Sequence, residues 1–364
     1  MRQVLSRRTL TLAGLAGTLA GCDLLPVSAP FRLGSASTDS RLEALATKEG
    51  VLQIAMTSDQ LEFEDLLGAF GRLHPGIDVQ FSRPTSSDLH SNFLLDATAG
   101  RPTADILISS AMDLQFKLVN DGFAQTYESP EKPNIPDWAE WKNQAYAITA
   151  EPIVFAYNRR LMPAEDVPGS HYELADLLRR KPDTYRGRIA TYDPELSGTG
   201  YLYYTQDLLL SHDTLDLAEA VGRIQPAFYA SGGEAMNKVQ TGEHLLAYNM
   251  VSSQMMVRQA RDPNIAIVYP SDYTLVMSRI AFVPRTARHP SAGKLFLDFL
   301  LSETGQMLLA AHHMQPVRAG VTMRGGAPSP EVLRPIHFGP SLLANLDEFR
   351  RRRVLREWRR TFAS

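Results

Sequence analysis

The sequence predicts an α/β protein of two lobes, each built on a doubly wound sheet and joined by hinge crossings. Three observations carry this reading. From Val51 onward, short apolar strands alternate with amphipathic helices, the order that builds a parallel sheet. A segment from about Arg159 to Tyr273 has strands and helices of its own and is long enough to be a second lobe. Helices from Ala292 then return to close the first lobe, so the second is an insertion and the junction a hinge with a cleft. The chain has 364 residues, 44% hydrophobic and 21% charged, with a net charge of -3. That balance suits a globular chain of two domains and gives no reason to expect a nucleic-acid partner. The single cysteine, Cys22, excludes an intrachain disulfide and a cysteine-rich zinc site.

The first residues read as an export signal. Ser6-Arg7-Arg8 with Leu10 has the form of a twin-arginine motif, an apolar run extends to Leu19, and Leu19-Ala20-Gly21-Cys22 has the form of a lipobox. The run is too short to anchor a protein across a bilayer. The expectation is a signal over residues 1–21, removed so that Cys22 is lipidated, and a tether over residues 22–48 rich in Ser, Ala and Pro. The signal carries Arg2, Arg7 and Arg8 and no acid, so the mature chain would carry -6.

Val51–Met56 is a buried strand by composition, and Leu61–Leu73 has helical spacing. His74-Pro75-Gly76 stops that helix. Ile77–Phe81 alternates as a strand, Ser87–Ala99 is a helix closed by Gly100, and Ala104–Ile108 is a third strand. Ligands of such sheets sit beyond the carboxyl ends of strands. Thr57 and Ser58, and then Ser109, Ser110, Met112 and Asp113, stand at those ends; the same residue types also cap helices. Glu151–Asn158 is the next strand, and Thr274–Val283 is the strand heading back. Glu151 and Tyr273 lie near these crossings and join the candidate site.

The most informative motif is Ser197-Gly198-Thr199-Gly200, between the strand Arg188–Tyr192 and the helix Tyr201–Leu210. Small residues at a helix start let N–H groups face a ligand, and the helix dipole favours an anion there. A plain N-cap is the alternative reading. The motif offers N–H groups and hydroxyls but no fixed cation, which suits a neutral pocket for phosphate or carboxylate. Opposite it, Leu245–Gln254 reads as a strand delivering Asn249, Ser252 and Ser253 to a helix start. No His-Glu-x-x-His, Gly-x-Ser-x-Gly or dinucleotide fingerprint occurs, so no enzyme and no cofactor is expected.

These pieces together resemble the bacterial extracellular solute-binding proteins. Val51–Ile54 with His74–Val79 resembles their opening, Ala104–Leu107 their second-strand region, and Phe155–Asn158 with Leu161 their first crossing. His289–Ala292 through Leu300, and Ser302–Gln306, resemble their closing helices. Within the family the chain is most similar to the ferric-ion, phosphonate and sugar-phosphate branch. The resemblance implies a type II periplasmic-binding-protein fold and a monomer on the periplasmic side of the cell membrane. It would capture a small organic anion and deliver it to an ABC permease. A ligand-sensing accessory of a sensor kinase, or a ferric-ion binder, is the alternative. Ferric-binding relatives offer adjacent tyrosines where this chain has Ser252-Ser253, which counts against iron, and no metal ligands are assigned. Lobe one is expected over residues 49–155 and 280–325, lobe two over 156–279, and a C-terminal extension over 326–364. In that extension Phe349, Val354, Leu355 and Trp358 form an apolar stripe on a basic helix. The helix either packs on the body with a solvated arginine face or meets anionic lipid or a membrane partner.

Overall fold

The computed structural model describes residues 39–58, 60–210, 213–323 and 329–362. The twin-arginine motif, the apolar run behind it and Cys22 lie outside these residues. The described chain opens on helix α1 (Ser40–Glu49), capped by Asp39 and ended by Gly50 at φ 70°. Leu42 and Ala46 are buried, and the Glu49 carboxylate accepts the Ser291 and Ala292 N–H groups at 3.1 and 2.8 Å. The tether expected through Lys48 therefore gives way to the fold by Ser40. The Ser and Ala content of this stretch hid the helical pair Leu42 and Ala46, which with Glu49 holds the helix to the body.

The first lobe begins with β1 (Val51–Met56), α2 (Gln60–Leu73), β2 (Asp78–Ser82), α3 (Ser86–Thr98), β3 (Ile106–Ser109) and α4 (Met112–Asn120). The boundaries of the first five match the sequence pattern to within two residues; α4 was not expected. Leu52, Ile54 and Met56 alternate into the core, and Phe63, Leu66, Ala69 and Phe70 form the buried stripe of α2. Two short strands follow, β4 (Glu140–Trp141) and β5 (Ala145–Ala147), and then β6 (Glu151–Asn158). All of β6 belongs to the second sheet, so the first crossing lies ahead of Glu151 and not at residue 155. An apolar strand carries no mark of which sheet it joins.

The second lobe continues through α5 (His171–Arg180), α6 (Pro182–Tyr185), β7 (Ile189–Tyr192), α7 (Gly198–Leu210), α8 (Asp213–Arg223), β8 (Ala227–Tyr229), α9 (Gly232–Thr241), β9 (Leu246–Val251), α10 (Ser252–Arg261) and β10 (Ile265–Val268). The return expected as one strand is two: β11 (Thr274–Met277) in the second sheet and β12 (Ile280–Phe282) in the first. The polar pair Ser278-Arg279 between them is the second crossing. Helices α11 (Pro290–Leu301) and α12 (Glu303–Ala311) close lobe one.

Among the described residues the first sheet runs β2-β1-β3-β12-β5-β4. Its β2-β1-β3 part is parallel, and β12 is antiparallel to both neighbours. The C-terminal extension is not an appendage. Its strand β13 (Leu333–Pro335) pairs with β11, giving a second sheet ordered β13-β11-β6-β9-β7-β8, with β10 also on β6. Phe338 then packs edge-on to Phe116 of α4 at 5.1 Å, in lobe one. Helix α13 (Glu348–Phe362) returns to lobe two, where Trp358 meets Phe228 at 5.0 Å.

Candidate functional site

The carboxyl ends of β1 and β3 face those of β7, β8 and β9 across a cavity of about 310 Å³. Lobe one contributes Thr57, Ser58, Arg83, Ser86 and Ser110; lobe two contributes Tyr192, Ser197, Thr199, Ser231–Glu234 and Gln254. Helices α3, α7 and α9 all begin at this wall. Their caps are built alike: Thr85, Ser197 and Ser231 accept the N–H groups of Asp88, Gly200 and Glu234 at 3.1, 3.1 and 3.3 Å. Each helix start adds partial positive charge to one space, which favours an anion. The lobes touch directly here. The Thr199 N–H donates to Ser86 Oγ at 3.2 Å, and the Ser110 and Thr199 hydroxyls are 3.1 Å apart.

The expected absence of a fixed cation is corrected by the structure: Arg83, Arg258 and Arg279 all line the cavity. Arg258 donates to Asn237 Oδ1 at 3.0 Å and Gln240 Oε1 at 2.5 Å. Arg83 and Arg258 converge on Gly233: a Cβ there would meet their Nη2 atoms at 3.5 and 3.6 Å. A second chamber of about 350 Å³ shares Arg83, Gly233 and Arg258 and adds Glu62 and Arg261. Arg83 was findable in the sequence, because Ser82-Arg83-Pro84-Thr85 stands between a strand end and a helix cap like the other candidates. Arg258 is inside a helix and carries no such signal.

Arg279 differs from these two. It is buried at the crossing and donates from Nε to Glu151 at 2.6 Å and from Nη2 to Glu62 at 3.0 Å. It also meets Ser58 of lobe one and Ser253 of lobe two. Burial alone would lower its pKa, but the Glu151 and Glu62 carboxylates overcome that and hold it above the ordinary arginine value.

Of the residues expected at the site, Thr57, Ser58, Ser110, Ser197 and Thr199 line the cavity. The others are turned into the framework. Ser109 Oγ accepts the Ala111 N–H at 3.1 Å, and Met112 Sδ accepts that of Ser278 at 3.3 Å. Glu151 and Ser253 belong to the Arg279 cluster, with Ser252 buried beside them at the start of α10. Asn249 sits at φ 63° with its amide on Asp207 at 2.7 Å, and Tyr273 and Tyr248 donate to the same carboxylate at 2.9 Å each. Gly198 and Gly200 serve packing: a Cβ would come within 2.5 Å of Leu114 Cδ1 and of Tyr192 Cβ respectively. For the strand residues Ser109, Glu151 and Asn249 the reason is alternation: a strand end brings every residue near the edge, but successive side chains point to opposite faces.

Asp113 is 1% exposed, and its Oδ2 has no hydrogen-bond partner. Burial pushes its carboxyl up to about 7; the Leu114 N–H and the positive charge of Arg351 oppose this only in part. The folded state thus holds a proton that the unfolded chain releases near pH 4. Stability from this group is full below pH 4 and lost as pH rises to about 7. Asp113→Asn should therefore raise the melting temperature at pH 8, by an effect on the order of 1–4 kcal/mol, and leave it nearly unchanged at pH 4. Equal melting curves at pH 8 would show that the carboxyl is ionised without cost.

Two lobes that close on a cavity lined by helix starts define a binding protein of the periplasmic two-lobe class. The sequence profile described as bacterial extracellular solute-binding protein matches residues 101–335, and the chain belongs to that family. The substrate-binding protein of an ABC transporter from Agrobacterium tumefaciens is 33% identical, with a TM-score of 0.82 over 86% of this chain and 94% of that one. Iron-bound HitA from Pseudomonas aeruginosa is 21% identical, with a TM-score of 0.67 over 85% and 99% of the two chains. AfuA from Actinobacillus pleuropneumoniae, with fructose-6-phosphate bound, is 19% identical, with a TM-score of 0.70 over 86% and 99%. At these identities the last two show the fold alone. No curated protein sequence gives a significant match. Among the described residues, no cluster of three or more His, Cys, Asp or Glu side chains is placed to hold a metal ion.

Proposed function

We propose that the protein captures a small organic anion, phosphorylated or carboxylated, between its lobes and hands it to an ABC permease without chemical turnover. The observation that carries this reading is the convergence of three helix starts with the Arg83 and Arg258 guanidiniums on one cavity. Guanidinium and N–H donors together match the several acceptors of a phosphate or carboxylate. The relative from Agrobacterium supports the transport role, since its name places it in an ABC transporter. Export by the twin-arginine motif and lipidation at Cys22 complete the proposal, keeping a monomeric receptor on the periplasmic side of the cell membrane.

Calorimetry and thermal shift against sugar phosphates, phosphonates, di- and tricarboxylates and ferric citrate test it. A ligand at a hundred times its Kd should add about 2.7 kcal/mol of stability, a plain rise in melting temperature. Tight binding of free Fe(III) with a tyrosinate absorption band would overturn the anion reading. Tight binding of a neutral sugar would do the same.

A further inference from the structure

Helix α13 carries seven arginines and two glutamates in fifteen residues, a net +5. The rest of the chain has 30 basic and 38 acidic residues, a net -8. The arginines are not spread evenly. At about 100° per residue, Phe349, Arg352, Arg353, Arg356, Arg359 and Arg360 fall within an arc of roughly 120°. Val354, Trp358 and Arg351 lie on the opposite side. There Val354 and Trp358 are buried, and the Arg351 guanidinium covers the Tyr201 ring at 4.2 Å. The outward arc is solvated: the side chains of Arg352, Arg353 and Arg359 are 66, 68 and 62% exposed, and Phe349 is 84% exposed. Arg352, Arg353 and Arg359 pair with Glu348, Glu357 and Glu195, and the five arginines of the face still outnumber these carboxylates by two.

We propose that this face adsorbs the protein to an anionic phospholipid surface. Val354 and Trp358 are spent on the body, while Phe349, expected on the same stripe, points the other way because it lies about half a turn round the helix from them; the helix therefore does not insert, and attachment is electrostatic, with the Phe349 ring at the headgroup level. The arginines run along about two turns of one face, roughly 12 Å, a row that matches a plane of lipid phosphates without any shape requirement. The net negative charge of the rest of the chain is repelled by the same surface, which favours this side facing it. The adsorption does not depend on which solute the cleft binds.

Residues 34–364 form a compact unit that holds every described element, so this segment can be tested alone. It is mixed with vesicles of phosphatidylcholine, or of phosphatidylcholine with about a third phosphatidylglycerol, and sedimented. Binding to the anionic vesicles is expected, with release by high salt and none to the neutral ones. At up to about fivefold per arginine, Arg352→Gln, Arg353→Gln, Arg356→Gln and Arg360→Gln together should weaken binding at least tenfold. The same four positions changed to lysine should keep it, and an unchanged melting temperature in both variants shows that the fold is intact. Equal sedimentation of the glutamine variant overturns the proposal. So does failure of the wild type to bind anionic vesicles, which would leave an acidic protein surface as the alternative.

Discussion

Arg279→Met is expected to destabilise the fold by about 3–5 kcal/mol, read as a fall in the denaturant midpoint. The guanidinium is 2% exposed and bridges Glu151, which is 0% exposed, and Glu62. Methionine fills the volume but leaves two carboxylates in the interior with no countercharge. The Ser58 and Ser253 hydroxyls lose a charged partner as well. Because those serines belong to different lobes, the residue also couples the lobes through the crossing. Two controls separate charge from packing. The deficit should shrink on acidification, as the stranded carboxylates take up protons. Adding Glu62→Gln and Glu151→Gln to the methionine variant should recover most of the loss, since removing a whole buried cluster costs far less than breaking it. A single variant within 1 kcal/mol of wild type would show that the cluster is not what holds the crossing.

The elements of both lobes were legible because their cores are ordinary. Leu52, Ile54 and Met56 alternate, Phe63, Leu66 and Phe70 recur at helical spacing, and His74-Pro75-Gly76 can only be a stop. Sheet membership was not legible, because it is a hydrogen-bonding choice made after collapse. Glu151–Asn158 reads the same in either sheet, and Thr274–Val283 reads as one strand although Ser278-Arg279 divides it. The site divides in the same way. Hydroxyl residues at strand and helix ends pointed to the cavity wall, and Thr57, Ser58, Ser110, Ser197 and Thr199 lie on it. Glu151, Asn249 and Tyr273 lie near the same edge, but each is consumed by a buried partner that the sequence does not reveal. Arg279 for Glu151 is 128 residues away, and Asp207 serves the other two. Arg258 was missed for the opposite reason: arginine is common on helix surfaces, and only the closed cleft distinguishes it from the rest, whereas Arg83 stood at a strand end like the other candidates.

Gly233→Asp is expected to abolish anion binding while leaving the fold as stable as before. An added Cβ at Gly233 meets Arg83 and Arg258 Nη2 at 3.5 and 3.6 Å, ordinary contacts that need no rearrangement. The residue is in the first turn of α9, where a carboxylate is favoured by the helix dipole, by about 0.3–1 kcal/mol. The new side chain would thus sit among the donors proposed for the ligand and satisfy them from within. A competing anion then loses roughly two charge-assisted hydrogen bonds at about 1.5–3 kcal/mol each, a hundredfold or more in Kd. Gly233→Asn, of the same size and uncharged, should cost distinctly less. Neighbouring Gly232 cannot serve, because a Cβ there would lie 2.5 Å from the Tyr192 hydroxyl. Calorimetry with the tightest ligand of the wild-type screen decides the matter. If the aspartate variant binds that ligand as wild type does, its charged group is not held at α9, and the α3 and α7 starts with Ser86 and Thr199 must carry the recognition alone.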